Sequence, residues 1–226
     1  DNPNQYLTEN GYQDFKIITE TLRIKDKKGF REEPYPVRVS RHGPMISALM
    51  PMAPADCAMH WAAFDHPAID IEGLLQMNRA QNFSEFREAL GKVKAINLGM
   101  GYADQEGNIG WQFTASAPLR KKGDGSYPVP GWTDEYEWTG YVPYEDLPYD
   151  YNPPAGYVAS FNNDPGNVSY HLTNYYLFQR ATRFERIMNQ RGEQKVSLDE
   201  LRAMQLDTVS VVAELWTPLV TDACKG

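Results

Sequence analysis

The prolines between positions 128 and 154 constrain this chain more than any other feature. Pro128, Pro130, Pro143, Pro148, Pro153 and Pro154 all fall in PVPGWTDEYEWTGYVPYEDLPYDYNPPAGYVASFNND, which runs from Pro128 to Asp164. Each removes a backbone donor and fixes φ, so no long helix fits there. The same stretch carries Trp132, Tyr136, Trp138, Tyr141, Tyr144, Tyr149 and Tyr151, aromatic surface that can pack an irregular segment in place. Long loops are uncommon and are usually functional or disordered, and the aromatic content argues for order. The loop is expected to feed a short apolar strand, Gly156 to Phe161, that ends on two adjacent amides, Asn162 and Asn163. A side-chain amide both donates and accepts. At a strand end it suits a turn, where Asn is a leading residue, and it also suits an oxyanion site. The residues leave both readings open.

The remaining composition sets bounds. A chain of 226 residues with 42% hydrophobic residues can bury a sizeable core. The net charge of −8 argues against nucleic acid, whose partners present basic surfaces. No apolar run approaches a membrane span, and the polar opening DNPNQYLTENGY is unlike a signal peptide. Cys57 and Cys224 establish neither a disulfide nor a compartment. His42, His60, His66 and His171 show no metal spacing. His42, before Gly43-Pro44, reads as a turn histidine, because no acid or nucleophile neighbours it in sequence.

Along the chain, Asn10-Gly11 marks a turn. Asp14 to Lys25 and Tyr35 to Arg41 read as strands, with a charged loop from Lys27 to Pro34 between them, and Ala58 to Phe64 reads as a third strand. Ala68 to Arg79 has helical spacing. Asn82 with Glu85 is a capping-box pattern, and Phe83, Phe86 and Leu90 line one face of the helix that follows. Ala95 to Ala103 and Ile109 to Thr114 form a hairpin about the acidic turn Asp104 to Asn108, which lacks the ligand spacing of a calcium loop. Tyr176 to Gln190 is helical, with Phe178, Ala181, Phe184 and Ile187 inward. Ser197 with Glu200 caps a further helix, and Val209 to Leu219 closes the chain. This order predicts an α+β fold, a mainly antiparallel sheet with flanking helices, in a single segment spanning 1–226.

In combination these segments resemble the β-subunit of the penicillin acylase family of N-terminal-nucleophile hydrolases. The likeness is carried by VRVSRHG (Val37 to Gly43), LLQMNRAQNFSEF (Leu74 to Phe86), YADQEGNIG (Tyr102 to Gly110), PVPGWTDEYEWTGYVPYEDLP and NPPAGYVASFNND. It implies part of a four-layer αββα fold and hydrolysis of a small acyl amide, of the penicillin, cephalosporin or acyl-homoserine lactone type. The nucleophile in such enzymes is a serine at the subunit's own N-terminus, exposed by self-cleavage, with its α-amino group as base. The resemblance assigns an oxyanion donor to Asn162. It assigns an active-site arginine to Arg183, with Arg180 as the competing register. It implies an α-subunit partner and a periplasmic or extracellular setting.

Residue 1 is Asp, and an Asp1 carboxylate cannot take the serine's role. By resemblance, the nucleophile, a backbone oxyanion donor and most calcium ligands belong to a part of the β-subunit upstream of Asp1. The chain is therefore expected to be an inactive fragment on its own. The calcium ion of the family is expected here only through the backbone near Gly125 and through Asn174. The alternative is a binding or scaffold domain that keeps the fold without the chemistry.

Overall fold

The computed structural model describes residues 2–50, 56–66, 69–165, 168–172, 178–192 and 194–225. The expected α+β character is observed. Every strand pair among the described residues is antiparallel, and five α-helices accompany them. The strands form four small sheets rather than one broad one.

The centre is the hairpin of β6 (Leu98–Ala103) and β7 (Ile109–Thr114), as the alternation predicts. Asp104 closes it by accepting from the backbone N–H groups of Glu106 and Asn108, both at 2.9 Å. Helices α1 (Asp70–Met77) and α2 (Phe83–Leu90) pack beside it. Phe83, Phe86, Leu90 and Val93 form the buried cluster, flanked by Leu74, Met77, Met100, Tyr102 and Tyr144. Asn82 caps α2 by accepting from Glu85 N at 2.9 Å. Two glycines make the packing possible. A Cβ on Gly73 would lie 2.9 Å from Ala89 O, and one on Gly110 would lie 2.6 Å from the Phe83 ring.

Buried polar groups tie this unit together. Asp70 Oδ1 accepts from Lys94 N and Ala95 N, each at 2.8 Å, and from Ile96 N at 3.3 Å. Gln112 is fully buried; it accepts from Arg87 Nε at 2.6 Å and donates to Phe113 O at 2.8 Å. The Arg87 guanidinium lies 3.6 Å from the centre of the Tyr149 ring, a cation–π contact.

Several expectations are corrected. The long loop contains two strands, β9 (Trp138–Tyr141) and β10 (Tyr149–Tyr151). Its partners come from outside it: β8 (Pro118–Arg120) pairs with β9, and β7 pairs with β10. The charged loop from Lys27 to Pro34 is mostly strand. β3 (Lys16–Asp26) and β4 (Gly29–Ser40) form one long ribbon, and Pro34 and Pro36, two residues apart, face the same side of it. Among the described residues β4 has no second neighbour along that stretch, so the missing donors cost no ladder bond. Ala58 to Phe64 is not a strand. It offers one bridge, Ala58 to Met45, and then a 3₁₀ turn at Ala62–Phe64, because no further strand lies beside it. Gly156 to Phe161 also forms no ladder. Ser160 lies over the face of β6 at Gly99, where no main-chain groups are free to pair.

The chain opens with a small hairpin, β1 (Gln5–Thr8) and β2 (Gly11–Asp14), about the expected Asn10 turn, and β5 (Gly43–Pro44) extends the ribbon. It closes with α3 (Gln179–Arg191), α4 (Leu198–Gln205) and α5 (Val211–Ala223). Ser197 and Glu200 form the full capping box. Residues 176 and 177 of the expected third helix lie outside the described residues. Phe178 is exposed and Ala181 is buried. No helix among the described residues is long and apolar enough to cross a membrane.

Candidate functional site

The segment after β10 and the start of α3 border a cleft of about 450 Å³. Gly99 and Trp111 of the hairpin, Tyr157, Phe161 and Asn162 of the segment, and Phe184 of α3 are among the residues that line it. Phe184 meets both Tyr157 and Phe161, at ring separations of 5.2 and 5.1 Å. The aromatic walls hold the amide pair at the cleft margin.

The two amides are held differently. Asn163 is a turn residue. Its Oδ1 accepts from Phe161 N at 3.0 Å, and its Nδ2 donates to Asp164 O at 3.1 Å. Asn162 adopts φ 59°, a left-handed conformation that Asn tolerates better than most residues. Its Oδ1 accepts from Arg180 NH2 at 2.5 Å, and the same nitrogen donates to Phe161 O at 2.8 Å. No described residue accepts from its Nδ2.

The structure therefore brings Arg180, not Arg183, into contact with Asn162. Arg183 forks onto Asp207, with Nε to Oδ1 at 3.1 Å and NH2 to Oδ2 at 2.7 Å. This pairing, a two-point charge-assisted contact, raises the Arg183 pKa and lowers that of Asp207. Asp207 also accepts from Val209 N at 3.1 Å, and Arg186 pairs with Glu214 at 2.6 Å. These contacts tie α3 to the turn before α5 and to α5 itself.

Gly125 is the position where the resemblance places a calcium ligand. It has φ 83°, and the Arg120 guanidinium packs against it, 2.7 Å from where a Cβ would stand. Burial lowers the Arg120 pKa, while the charge of Asp124 acts in the opposite direction. A guanidinium and one nearby carboxylate do not make the cage of oxygens that calcium takes. Among the described residues no group of three or more His, Cys, Asp or Glu side chains could hold a metal ion. Asn174 lies outside the described residues. The described residues at Gly125 do not fit the ion.

Sequence reading missed one cluster. His42 sits in its turn, but an acid does face it in space. His42 Nε2 lies 2.8 Å from Glu137 Oε1, and Arg41 NH2 reaches the same oxygen at 3.1 Å. His60 stacks on Trp138 at 3.6 Å, and its Nε2 lies 3.3 Å from Asp65 Oδ2. Glu137 and Trp138, at the start of β9, are distant in sequence, so nothing in the local spacing announces them; Asp65 alone lies near its histidine along the chain. Among the described residues no nucleophile joins the cluster, which fastens Glu137 and Trp138 to the end of the ribbon.

Comparison with known proteins gives a consistent result. The family model described as penicillin amidase matches residues 1–225. The acyl-homoserine lactone acylase QuiP of Pseudomonas fluorescens is 30% identical over 213 residues, covering 92% of this chain and 26% of the relative. Penicillin G acylase of Escherichia coli is 35% identical over 119 residues, covering 50% of this chain and 14% of the relative. In structure, a thermostable penicillin G acylase from Alcaligenes faecalis superposes with a TM-score of 0.67 at 23% identity, covering 90% of this chain and 36% of that one. The chain spans about a quarter of the length of the acyl-homoserine lactone acylases it matches.

Proposed function

The chain belongs to the penicillin amidase family, and on that premise we propose that it forms part of the amide-cleaving machinery of an acylase, with Asn162 as an oxyanion donor. The supporting observation is the state of the Asn162 side chain. Its oxygen is engaged by Arg180, and no described residue accepts from its amide nitrogen at the edge of the cleft. Attack on an amide carbonyl places negative charge on that oxygen, and a preorganised N–H aimed at it stabilises the transition state.

The nucleophile in this reading is the hydroxyl of a serine at the N-terminus of the catalytic chain, freed by self-processing, with its own α-amino group as base. The acyl group passes to the serine oxygen, the amine leaves, and water then releases the acid. That serine belongs to polypeptide outside these residues, as does the α-subunit that shares the site. Asn162 is exposed. An oxyanion site gains most of its strength where water is excluded, so this reading requires further polypeptide to cover the cleft. This stretch alone is expected to be inactive. Small acyl amides are the substrate class, whether acyl-homoserine lactones or penicillin-type amides, and the setting is periplasmic or extracellular.

The test is Asn162→Ala in the complete protein. Loss of one oxyanion donor is expected to lower kcat by about 10² to 10³, with the fold retained by circular dichroism. A rate near normal would overturn the reading and favour a domain that binds without catalysing.

A further inference from the structure

We propose that the free edge of β3 is a pairing surface for a second copy of this protein, joined antiparallel about a twofold axis at Thr21. β3 and β4 form a ribbon of two strands, and β5 lies beside only the last residues of β4. A two-stranded ribbon is marginal in water and needs further strands or a packed face to hold it. Ile17, Ile18, Leu22, Phe30 and Tyr35 of the ribbon are exposed. Its two edges are not equivalent.

The direction of the main-chain groups follows from one bond. Arg38 O accepts from Met45 N at 2.9 Å, on the side of β4 away from β3. Direction alternates along a strand, so Pro34 and Pro36 turn their main chain to that same outer side. The outer edge of β4 thus lacks two successive donors, which closes it to pairing. The residues opposite this series, Ile17, Thr19, Thr21, Arg23 and Lys25, turn outward at the edge of β3. That edge has no proline and no break in register. Among the described residues no strand pairs with it. Phe15 N, next in the outward series, donates to Asn4 O at 2.8 Å and sets one limit of the open edge; the turn after Asp26 sets the other.

The open edge is complementary to itself. With Thr21 opposite the partner's Thr21, Thr19 meets the partner's Arg23 and Ile17 meets the partner's Lys25. Every outward residue then faces an outward residue, and each such pair exchanges two N–H···O bonds. Between them, Lys16 stands opposite the partner's Asp26 and Ile18 opposite the partner's Ile24. The twofold repeats both contacts at the other end. No like charges lie directly opposite, which is the arrangement a cross-strand pair favours. Sliding the partner to the next register loses this. One direction sets Glu20 against the partner's Glu20; the other sets Asp26 against the partner's Ile18 and leaves Ile17 without a strand residue opposite. The product is a four-stranded sheet with a β4 strand at each outer edge. Pro34 and Pro36 close those edges, so growth stops at two copies, as a twofold contact requires.

The test is the oligomeric state of the complete protein, by light scattering and sedimentation across a concentration series. A dimer of micromolar Kd is expected, because an edge-to-edge contact of this length is small. Thr21→Pro removes the donor at the axis and costs no bond to β4, since Thr21 faces Pro34. It should weaken Kd by about tenfold to a hundredfold, with the Tm of the monomer unchanged. Lys16→Asp or Asp26→Lys alone should weaken Kd roughly tenfold, and the two together should restore it. Amide hydrogen exchange gives a second readout. The N–H groups of Thr19, Thr21 and Arg23 should gain protection with concentration, while those of Ile18 and Leu22 stay protected throughout. A complete protein that remains monomeric, or a dimer whose Kd ignores Thr21→Pro, overturns the proposal. Protection of Thr19, Thr21 and Arg23 that does not depend on concentration overturns it too, and assigns the edge to another segment of the same protein.

Discussion

Helices α2 and α5 start from the same kind of instruction and end differently. Each has an N-cap side chain that accepts from a backbone N–H three residues on, Asn82 for α2 and Ser210 for α5. Each carries apolar residues at helical spacing. In α2 those residues are buried, with Leu90 at 0% exposure. In α5 only Val211 is buried, while Trp216 stands at 61% and Leu219 at 62%. A cap is local and forms wherever its own turn forms. Burial is not local, and it waits for a surface. The hairpin gives α2 that surface, whereas little among the described residues covers α5.

The largest effect should appear at the buried end of this contrast. Leu90→Ala is expected to destabilise by about 3 kcal/mol in urea unfolding, as cavity-forming core substitutions do. The matching Leu219→Ala should stay within about 0.5 kcal/mol. Equal effects would break the comparison and mean that α5 is covered after all.

Next in size is Asp70→Ala. It strands the three N–H groups of Lys94, Ala95 and Ile96 and should cost about 2 kcal/mol, read from the same unfolding curves. A neutral Asp70→Ala would mean that water replaces the carboxylate and that the unit is looser than its geometry implies.

The smallest effect concerns α4. Glu200 has its pKa lowered from 4.5 to about 2, first by Arg191 and then by the N–H and hydroxyl of Ser197. A carboxyl with a depressed folded pKa stabilises above its unfolded value, and that stabilisation is lost as pH falls towards the folded one. The α4 amides should therefore lose hydrogen-exchange protection as pH drops from 4.5 towards 2. Glu200→Gln should abolish that dependence, and Ser197→Ala should cost about 1 kcal/mol of helix stability. A flat profile in the unsubstituted chain would show that this cap contributes nothing.

What was legible in the sequence follows the same division. The hairpin about Asp104, the α2 face of Phe83, Phe86 and Leu90, and the caps at Asn82 and Ser197 depend on neighbours within a few residues, and each was read correctly. The strands β9 and β10 were not, because their prolines and aromatics argue for loop, while the ladders that make them strands come from β8 and β7. The strand expected at Gly156 to Phe161 failed for the converse reason: its apolar residues fit a strand, but the segment packs Ser160 against Gly99 of β6 and pairs with no strand edge. Asp70 reads as an ordinary acid in the first turn of a helix, and nothing local says that it will gather three distant amides. At the site, the resemblance assigns Arg183, with Arg180 as the competing register, and it is Arg180 that meets Asn162. Which one meets Asn162 depends on where Asp207 stands, and that is a matter of helix packing.

The pairing of β10 with β7 has a consequence in time as well as in space. β6 and β7 are separated by one short turn, whereas Tyr151 must return across the whole proline-rich stretch to meet Gly110. Closing a long loop costs entropy that the new contacts recover only at the end, and distant pairings slow folding. The hairpin and its two helices should therefore assemble first and offer β7 as a bare edge. β10 then seals that edge, placing Tyr149 over Arg87 as it arrives. Until it does, the edge is open to any extended segment, so β10 acts as the guard that keeps the half-folded protein from pairing with its neighbours.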